Sequence, residues 1–197
     1  MKTTIKLLKK LIVLTCLIFY SAGIAQEEHS VVNNESKLLV FGTSNVHDWE
    51  IEAKAMSGKG LFTIEGNDLK EIRGLNFFVE VEQLKSGKKA MDSNTFKALN
   101  SEKHKTINFK LVKIIKITEG DANQFTIETQ GDLTIAGVTK KITQIFQAKL
   151  IGKKILLSGK NKINMTHYSV KPPTALMGTI KTGEEVTIDF KVIYDSL

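Results

Sequence analysis

Ser44, His47 and Asp48 form the most crowded polar stretch of the chain and supply the three side-chain types of a nucleophilic relay. Such a relay needs a base seated on the nucleophile and a pair of donors for the oxyanion. Neighbouring residues on a strand point to opposite faces, so His47 and Asp48 are not expected to converge on one atom. No GxSxG elbow is present. These residues are expected to satisfy backbone groups at a strand start; contact with a ligand's polar head group is the functional alternative. His29, His47, His104 and His167 are scattered without HxH or HExxH spacing, so three or four convergent metal ligands are not expected. Lys85-Ser86-Gly87-Lys88-Lys89 lacks the GxxxxGK[ST] order of a phosphate cradle. It reads as a solvated turn, or as a basic rim for an anionic head group. No catalytic residue, metal site or cofactor is assigned, and the chain is read as a non-enzyme.

The apolar residues carry more information, through their spacing. Leu75, Phe77, Val79 and Val81 alternate with Asn76, Phe78, Glu80 and Glu82. Ile107, Phe109 and Leu111 alternate in the same way, as do Phe125, Ile127, Leu133 and Ile135. So do Gln144, Phe146, Ala148 and Leu150, where Ile145 breaks the pattern, and Val186, Ile188, Phe190 and Val192. A period of two with one apolar parity marks strands of an antiparallel sheet buried on one side. Glu65-Gly66-Asn67-Asp68, Glu119-Gly120-Asp121, Ala136-Gly137, Gly152-Lys153 and Thr182-Gly183 punctuate the runs as tight turns. About eight strands result: 37–43, 48–64, 69–84, 106–117, 124–135, 138–151, 154–165 and 185–194. Long strands joined by tight turns favour an all-β, single, antiparallel up-and-down barrel, since closure removes the exposed edges; a two-sheet sandwich is the alternative. One short helix is expected near 92–100, with Asp92 as its N-cap, Phe96 and Leu99 on one face and Asn100 as a stop. Pro172-Pro173 marks an irregular stretch from about Tyr168 to Lys181.

The aromatics Phe41, Trp49, Phe62, Phe77, Phe96, Phe109, Phe125, Phe146 and Phe190 are spread over nearly every element. In a sandwich they are core. In an eight-stranded barrel the interior is either filled by side chains or holds one small ligand.

The N-terminal residues bear on the expected compartment. Lys2, Lys6, Lys9 and Lys10 precede the uncharged run Leu11–Tyr20, and Gly23 and Ala25 occupy the −3 and −1 positions of a cut before Gln26. This n/h/c order predicts a cleaved secretory signal over 1–25; a membrane anchor needs about 20 apolar residues. Cys16, the only cysteine, falls inside that segment, so the mature chain is expected to use neither disulfide nor thiolate chemistry. Residues 26–35 (QEEHSVVNNE) are polar and unpatterned and read as a flexible leader, and 36–197 as one domain. The mature balance is 24 basic against 21 acidic residues, a net +3, with Arg73 as the lone arginine. That composition lacks the arginine-rich stripe and stacking aromatics of a nucleic-acid binder. The sequons at Asn34 and Asn164 are taken as coincidental.

Four blocks, in order and spanning nearly all of 36–194, resemble the YceI-like family. Gly42-Thr43-Ser44-Asn45-Val46-His47-Asp48-Trp49 is similar to its first block. Leu84-Lys85-Ser86 with Met91-Asp92 and Phe96-Lys97-Ala98-Leu99 resembles its second. His104-Lys105-Thr106-Ile107-Asn108-Phe109 resembles a third. Gly131-Asp132-Leu133-Thr134-Ile135-Ala136-Gly137-Val138-Thr139-Lys140 resembles its most specific hairpin. The resemblance implies a lipocalin- or streptavidin-like barrel with a long apolar tunnel for polyisoprenoid lipids, in a periplasmic or secreted bacterial protein. Lys105-Thr106 departs from a usual proline. Met91 departs from an arginine of many members, which shifts the expectation from a pyrophosphate lipid towards a quinone or another neutral amphiphile.

The expected function is therefore exported binding of a long apolar ligand: a polyisoprenoid, an isoprenoid quinone or a similar lipid. The alternatives are a ligand-free interaction domain with a filled barrel and, behind it, an enzyme acting on a small amphiphile. Phe41, Trp49, Phe77, Val79, Phe109, Ile127, Phe146 and Phe190 are the candidates for the apolar wall. Phe96, Leu99, Leu176 and Met177 are the candidates for the barrel ends, and His47, Lys85 and Lys88 for the head group. No integral span is expected in the mature chain; transient contact with a membrane surface is admitted.

Overall fold

The computed structural model describes residues 26–121 and 123–196. The segment 1–25, read above as a secretory signal and containing Cys16, lies outside the described residues. Twelve strands run in chain order: β1 (Glu27–Val31), β2 (Lys37–Ser44), β3 (Trp49–Ala53), β4 (Met56–Glu65), β5 (Asp68–Glu80), β6 (Leu84–Lys85), β7 (Thr106–Glu119), β8 (Gln124–Ile135), β9 (Val138–Ile151), β10 (Lys154–Asn164), β11 (Thr174–Ala175) and β12 (Ile180–Ser196). Among the described residues one α-helix, α1 (Lys89–Ala98), lies between β6 and β7.

The pairings reduce these strands to eight staves. β1 pairs with β4 on one edge and with the end of β12 on the other (Val31↔Tyr194). β2 pairs with β12 and β3, and β3 pairs with β6. So β1 and β2 form one interrupted stave, β3 and β4 the next, and β5 and β6 the third. β7, β8, β9, β10 and β12 complete a closed antiparallel barrel. Closure leaves no free sheet edge around the ring as a whole, which is why the alternating pattern extends over so many residues. The hairpin turns at Glu65–Asp68, Ile135–Val138 and Ile151–Lys154 fall where the polar dipeptides predict them.

Three expectations are corrected. Residues 26–35 are not a leader: Glu27–Val31 is a barrel strand. His29 is 1% exposed inside it and packs edge-on against Phe62 at 5.2 Å. Five residues with one apolar terminus carry too short a pattern to read as a strand, yet the neighbouring edges of β4 and β12 require a partner. Thr182-Gly183 is not a turn but an irregular stretch of β12, where the register with β2 shifts between Thr182 and Val186. Asp92 does not cap α1. Lys88 holds the N-cap position, and the Asp92 carboxylate, one turn in, accepts from Ser86 N (2.7 Å) and Ser86 Oγ (2.6 Å). The helix ends one residue before Leu99, and Asn100 follows at φ 51°, a left-handed value Asn tolerates well.

The core is not uniform along the barrel axis. The end carrying the turns β4–β5, β7–β8 and β9–β10 is packed solid by Phe62, Leu69, Ile72, Phe125, Ile127 and Ile155, each at most 3% exposed. The other end, where α1, the β2–β3 loop and the 165–180 connection gather, carries looser apolar clusters around partly buried side chains.

Candidate functional site

The loosely packed end holds a cavity of about 460 Å³ lined almost wholly by apolar side chains. That is within the roughly 300–1,000 Å³ range of small-molecule sites. Its floor is Leu75, Phe146, Leu157, Val192 and Tyr194, the upper layer of the packed core. Tyr194 Oη donates to Asn76 O (3.1 Å), and burial pushes its phenol well above the usual tyrosine range. The cavity is thus blind at the floor rather than a through-tunnel, and it opens beneath α1 and the adjoining loops.

Strand parity decides which residues face it. On β2, Leu38 and Val40 line the wall and Gly42 continues their parity; Phe41 takes the opposite one, opposite Glu50 and Thr187. Gly42 is there for room: a Cβ on it would sit 2.1 Å from the Trp49 ring. Trp49 is thereby laid across Gly42 inside the barrel, with its Nε1 donating to Thr43 O (3.0 Å). From α1, Ala90, Met91, Asn94, Thr95 and Ala98, with Leu99 just after it, face the cavity at helical spacing. Gly137, at φ 81°, lies so close to His104 that a Cβ would meet the ring at 2.4 Å. This contact ties the β8–β9 turn to the segment that follows α1.

Of the expected wall residues, Trp49, Phe77, Val79, Phe109, Phe146 and Phe190 line the cavity, as does Leu99 from the expected ends. Phe41 faces outward, and Ile127 is fully buried in the plug. Phe96 does not line the cavity but packs against the cluster around Ile51, Val79 and Leu84, with the Lys85 ammonium 4.9 Å from its ring centre. Leu176 and Met177 stand in solvent and close nothing. Of the head-group candidates, His47 and Lys88 line the mouth and Lys85 does not. Parity alone could have removed Phe41. Nothing in the sequence distinguishes Ile127 from Val79, since both have the inward parity and only depth separates them.

Besides Asn94 and Thr95 on α1 and Thr174 and Thr182 on β11 and β12, the polar groups at the cavity fall in two tiers. Ser44, His47 and Lys88 sit at the mouth. Ser44, at the end of β2, closes the β2–β3 loop: its Oγ donates to His47 O (2.8 Å) and accepts from His47 N (3.1 Å). The second tier lies halfway down and was missed. Asn161 Nδ2 donates to Gln144 Oε1 (3.0 Å), Gln144 Nε2 donates to Ile145 O (2.7 Å), and buried Thr129 Oγ1 donates to Gln144 O (2.8 Å). The signal was present, since Gln144 sits between Ile142 and Phe146 on the apolar parity of its strand. Among the described residues no cluster of His, Cys, Asp or Glu is placed to hold a metal ion, and no helix is long and apolar enough to cross a membrane.

Two carboxylates anchor the α1 segment to the barrel. For Asp92, burial alone would raise the pKa, but the two Ser86 hydrogen bonds and the Lys85 charge outweigh it and hold the carboxyl below its ordinary range. A hydrogen bond from Ser101, then the Lys105 charge, hold Glu82 down in the same way.

The YceI-like domain family matches residues 25–194, and the chain belongs to that family. Its barrel is similar to that of Burkholderia cenocepacia BcnA (TM-score 0.63, 15% identity, covering 83% of this chain and 98% of that one). A polyisoprenoid binding domain from Saccharophagus degradans, implicated in plant cell wall breakdown, superposes at a TM-score of 0.66 with 12% identity, over 88% of this chain and all of that one. The Campylobacter jejuni YCEI protein does so at 0.54 with 18% identity, over 73% and 82%. No curated protein matches the sequence.

Proposed function

We propose that this YceI-like chain is an exported carrier or store for one apolar amphiphile, an isoprenoid quinone or related polyprenyl lipid. The tail lies in the barrel and the polar end meets the protein's amide or mouth groups. The observation that carries this reading is the blind apolar cavity of about 460 Å³ above a solid core. A barrel needing only stability would fill that space, because an unfilled apolar void forfeits packing. Each CH₂ moved from water into it is worth about 0.8 kcal/mol, so a prenyl tail binds with few polar contacts. The Saccharophagus degradans domain, described as polyisoprenoid-binding, supports the ligand class.

Met91 puts an apolar side chain on the cavity at the position where the family resemblance implies an arginine. This favours a neutral head group over a pyrophosphate. The signal-like segment 1–25 supports the exported reading; outside the cytoplasm such lipids must cross water between membranes. Native mass spectrometry of the protein purified from its own host, followed by organic extraction, tests the reading. The expected result is one extractable lipid of prenyl mass per chain. An empty protein that also refuses added quinones and prenyl alcohols would overturn it.

A further inference from the structure

Most exposed apolar residues of a folded protein are scattered and carry no meaning. Val112, Ile115, Ile145 and Ile151 on the outer staves are of that kind. Val46, Leu176 and Met177 are not. They are 62%, 73% and 109% exposed, and all three sit at the tips of loops beside the cavity mouth.

The loops are built to hold them there. β11 and the start of β12 pair as a small hairpin (Thr174↔Lys181, Ala175↔Ile180) with Leu176 and Met177 at its tip. Both tip residues have positive φ, 48° and 56°, a region that bulky side chains rarely occupy. Asn45 stitches this hairpin to the β2–β3 loop three times. Its Nδ2 donates to Thr179 O (3.0 Å), its Oδ1 accepts from Lys181 N (2.8 Å), and its N donates to Lys181 O (3.1 Å). Val46 follows directly, so the three apolar tips belong to one braced platform.

The charge around the platform is basic. Lys171 and Lys181 flank the hairpin, and Lys88 and Lys89 open α1. None of the four is in an ion pair among the described residues. Asp48 on the β2–β3 loop and Glu184 and Glu185 early in β12 are the neighbouring acids. The opposite end of the barrel carries Glu65, Asp68, Glu119 and Asp121 in its turns, along with Lys153. A blind cavity admits its ligand only from the mouth, and a prenyl lipid is available only from a bilayer.

We propose that this end docks on an anionic bilayer surface, with Val46, Leu176 and Met177 entering the interface and Lys171 and Lys181 meeting lipid phosphates. The mouth is then presented to the membrane that supplies or receives the ligand. The inference rests on the cavity being a lipid site, and the test separates the two claims. Purified protein is sedimented with phosphatidylcholine vesicles with and without phosphatidylglycerol, and quinone uptake is measured separately from ethanol-delivered ligand without vesicles.

The wild type is expected to bind the phosphatidylglycerol vesicles, less so as salt rises. Leu176→Ser with Met177→Ser should lower that partitioning about tenfold or more, as expected for removing two large apolar side chains from the interface. Lys171→Glu with Lys181→Glu should remove the phosphatidylglycerol dependence. Neither pair lines the cavity, so vesicle-free uptake should be unchanged in both. A wild type that stays in the supernatant, or a Leu176→Ser/Met177→Ser protein that binds vesicles as the wild type does, would overturn the proposal. Vesicle binding without any quinone uptake would uphold docking and refute the cavity reading.

Discussion

Asn161 and Gln144 join side chains at 3.0 Å across the one place where the β9–β10 ladder has opened. Backbone pairing runs from Lys154↔Ile151 only to Ser158↔Gln147. Above that point β9 pairs with β8 and β10 with β12, and the amide pair bridges the seam halfway down the apolar wall. The two amides are among the polar groups that line the cavity a buried ligand would enter.

Asn161→Leu should therefore discriminate between ligands. Affinity for a quinone or prenyl alcohol that reaches this depth is expected to fall about two- to tenfold, the worth of one net hydrogen bond, while affinity for a hydrocarbon of the same length holds or improves. Competition titrations with matched ligands read the ratio directly.

Ile127 and Ile188 share an inward parity but not a depth, and their substitutions should separate stability from binding. Ile127→Ala, in the plug, is expected to cost about 2–5 kcal/mol in urea unfolding with ligand affinity nearly unchanged. Ile188→Asn, on the cavity wall, places an amide against the tail, at a cost of about 1–3 kcal/mol of binding. Paired unfolding and affinity measurements on the two variants check the assignment.

The α1 segment should loosen in acid. Asp92 and Glu82 both have folded-state pKa values below their ordinary range. A depressed carboxylate contributes stability that is present above its unfolded pKa, near 4, and lost as pH falls through the lower folded value. Ligand release is thus expected to accelerate below about pH 4. Asp92→Asn should show faster release already at neutral pH and a flatter dependence below it. Stopped-flow release across the acid range provides the readout.

Deleting residues 26–31 should damage the barrel, not trim a tail. The deletion leaves β4 and the end of β12 with unpaired edges, an invitation to association, and the shortened chain is expected to elute as oligomers. His29→Ala, which empties the site against Phe62, is expected to lose about 1–3 kcal/mol. Size-exclusion chromatography and thermal melts distinguish this from the behaviour of a true leader.

These comparisons show which parts of the fold the sequence alone reveals. Alternation gave β5, β7, β8, β9 and β12 their faces because one side of each stave is wet and the other dry along its whole length. It failed for β1, where five residues offer too few periods, and for Thr182-Gly183, where a bulge and a turn use the same residue types. At the site, Trp49, Phe77 and Phe190 were legible as inward aromatics. The depth at which packing stops was not, and this misplaced Ile127. Leu176 and Met177 were expected to close an end because large apolar residues usually find cover; their exposure is a property of the braced hairpin, which no local pattern encodes.

Trp49, the only tryptophan in the chain, lies on the cavity wall, so its emission reports occupancy. Titrating an isoprenoid quinone into the purified protein is the most direct test of the central claim. The account predicts quenching that saturates at one quinone per chain and is reversed by a competing prenyl alcohol. Quenching that rises linearly without saturation, with no quinone retained after gel filtration, would contradict it.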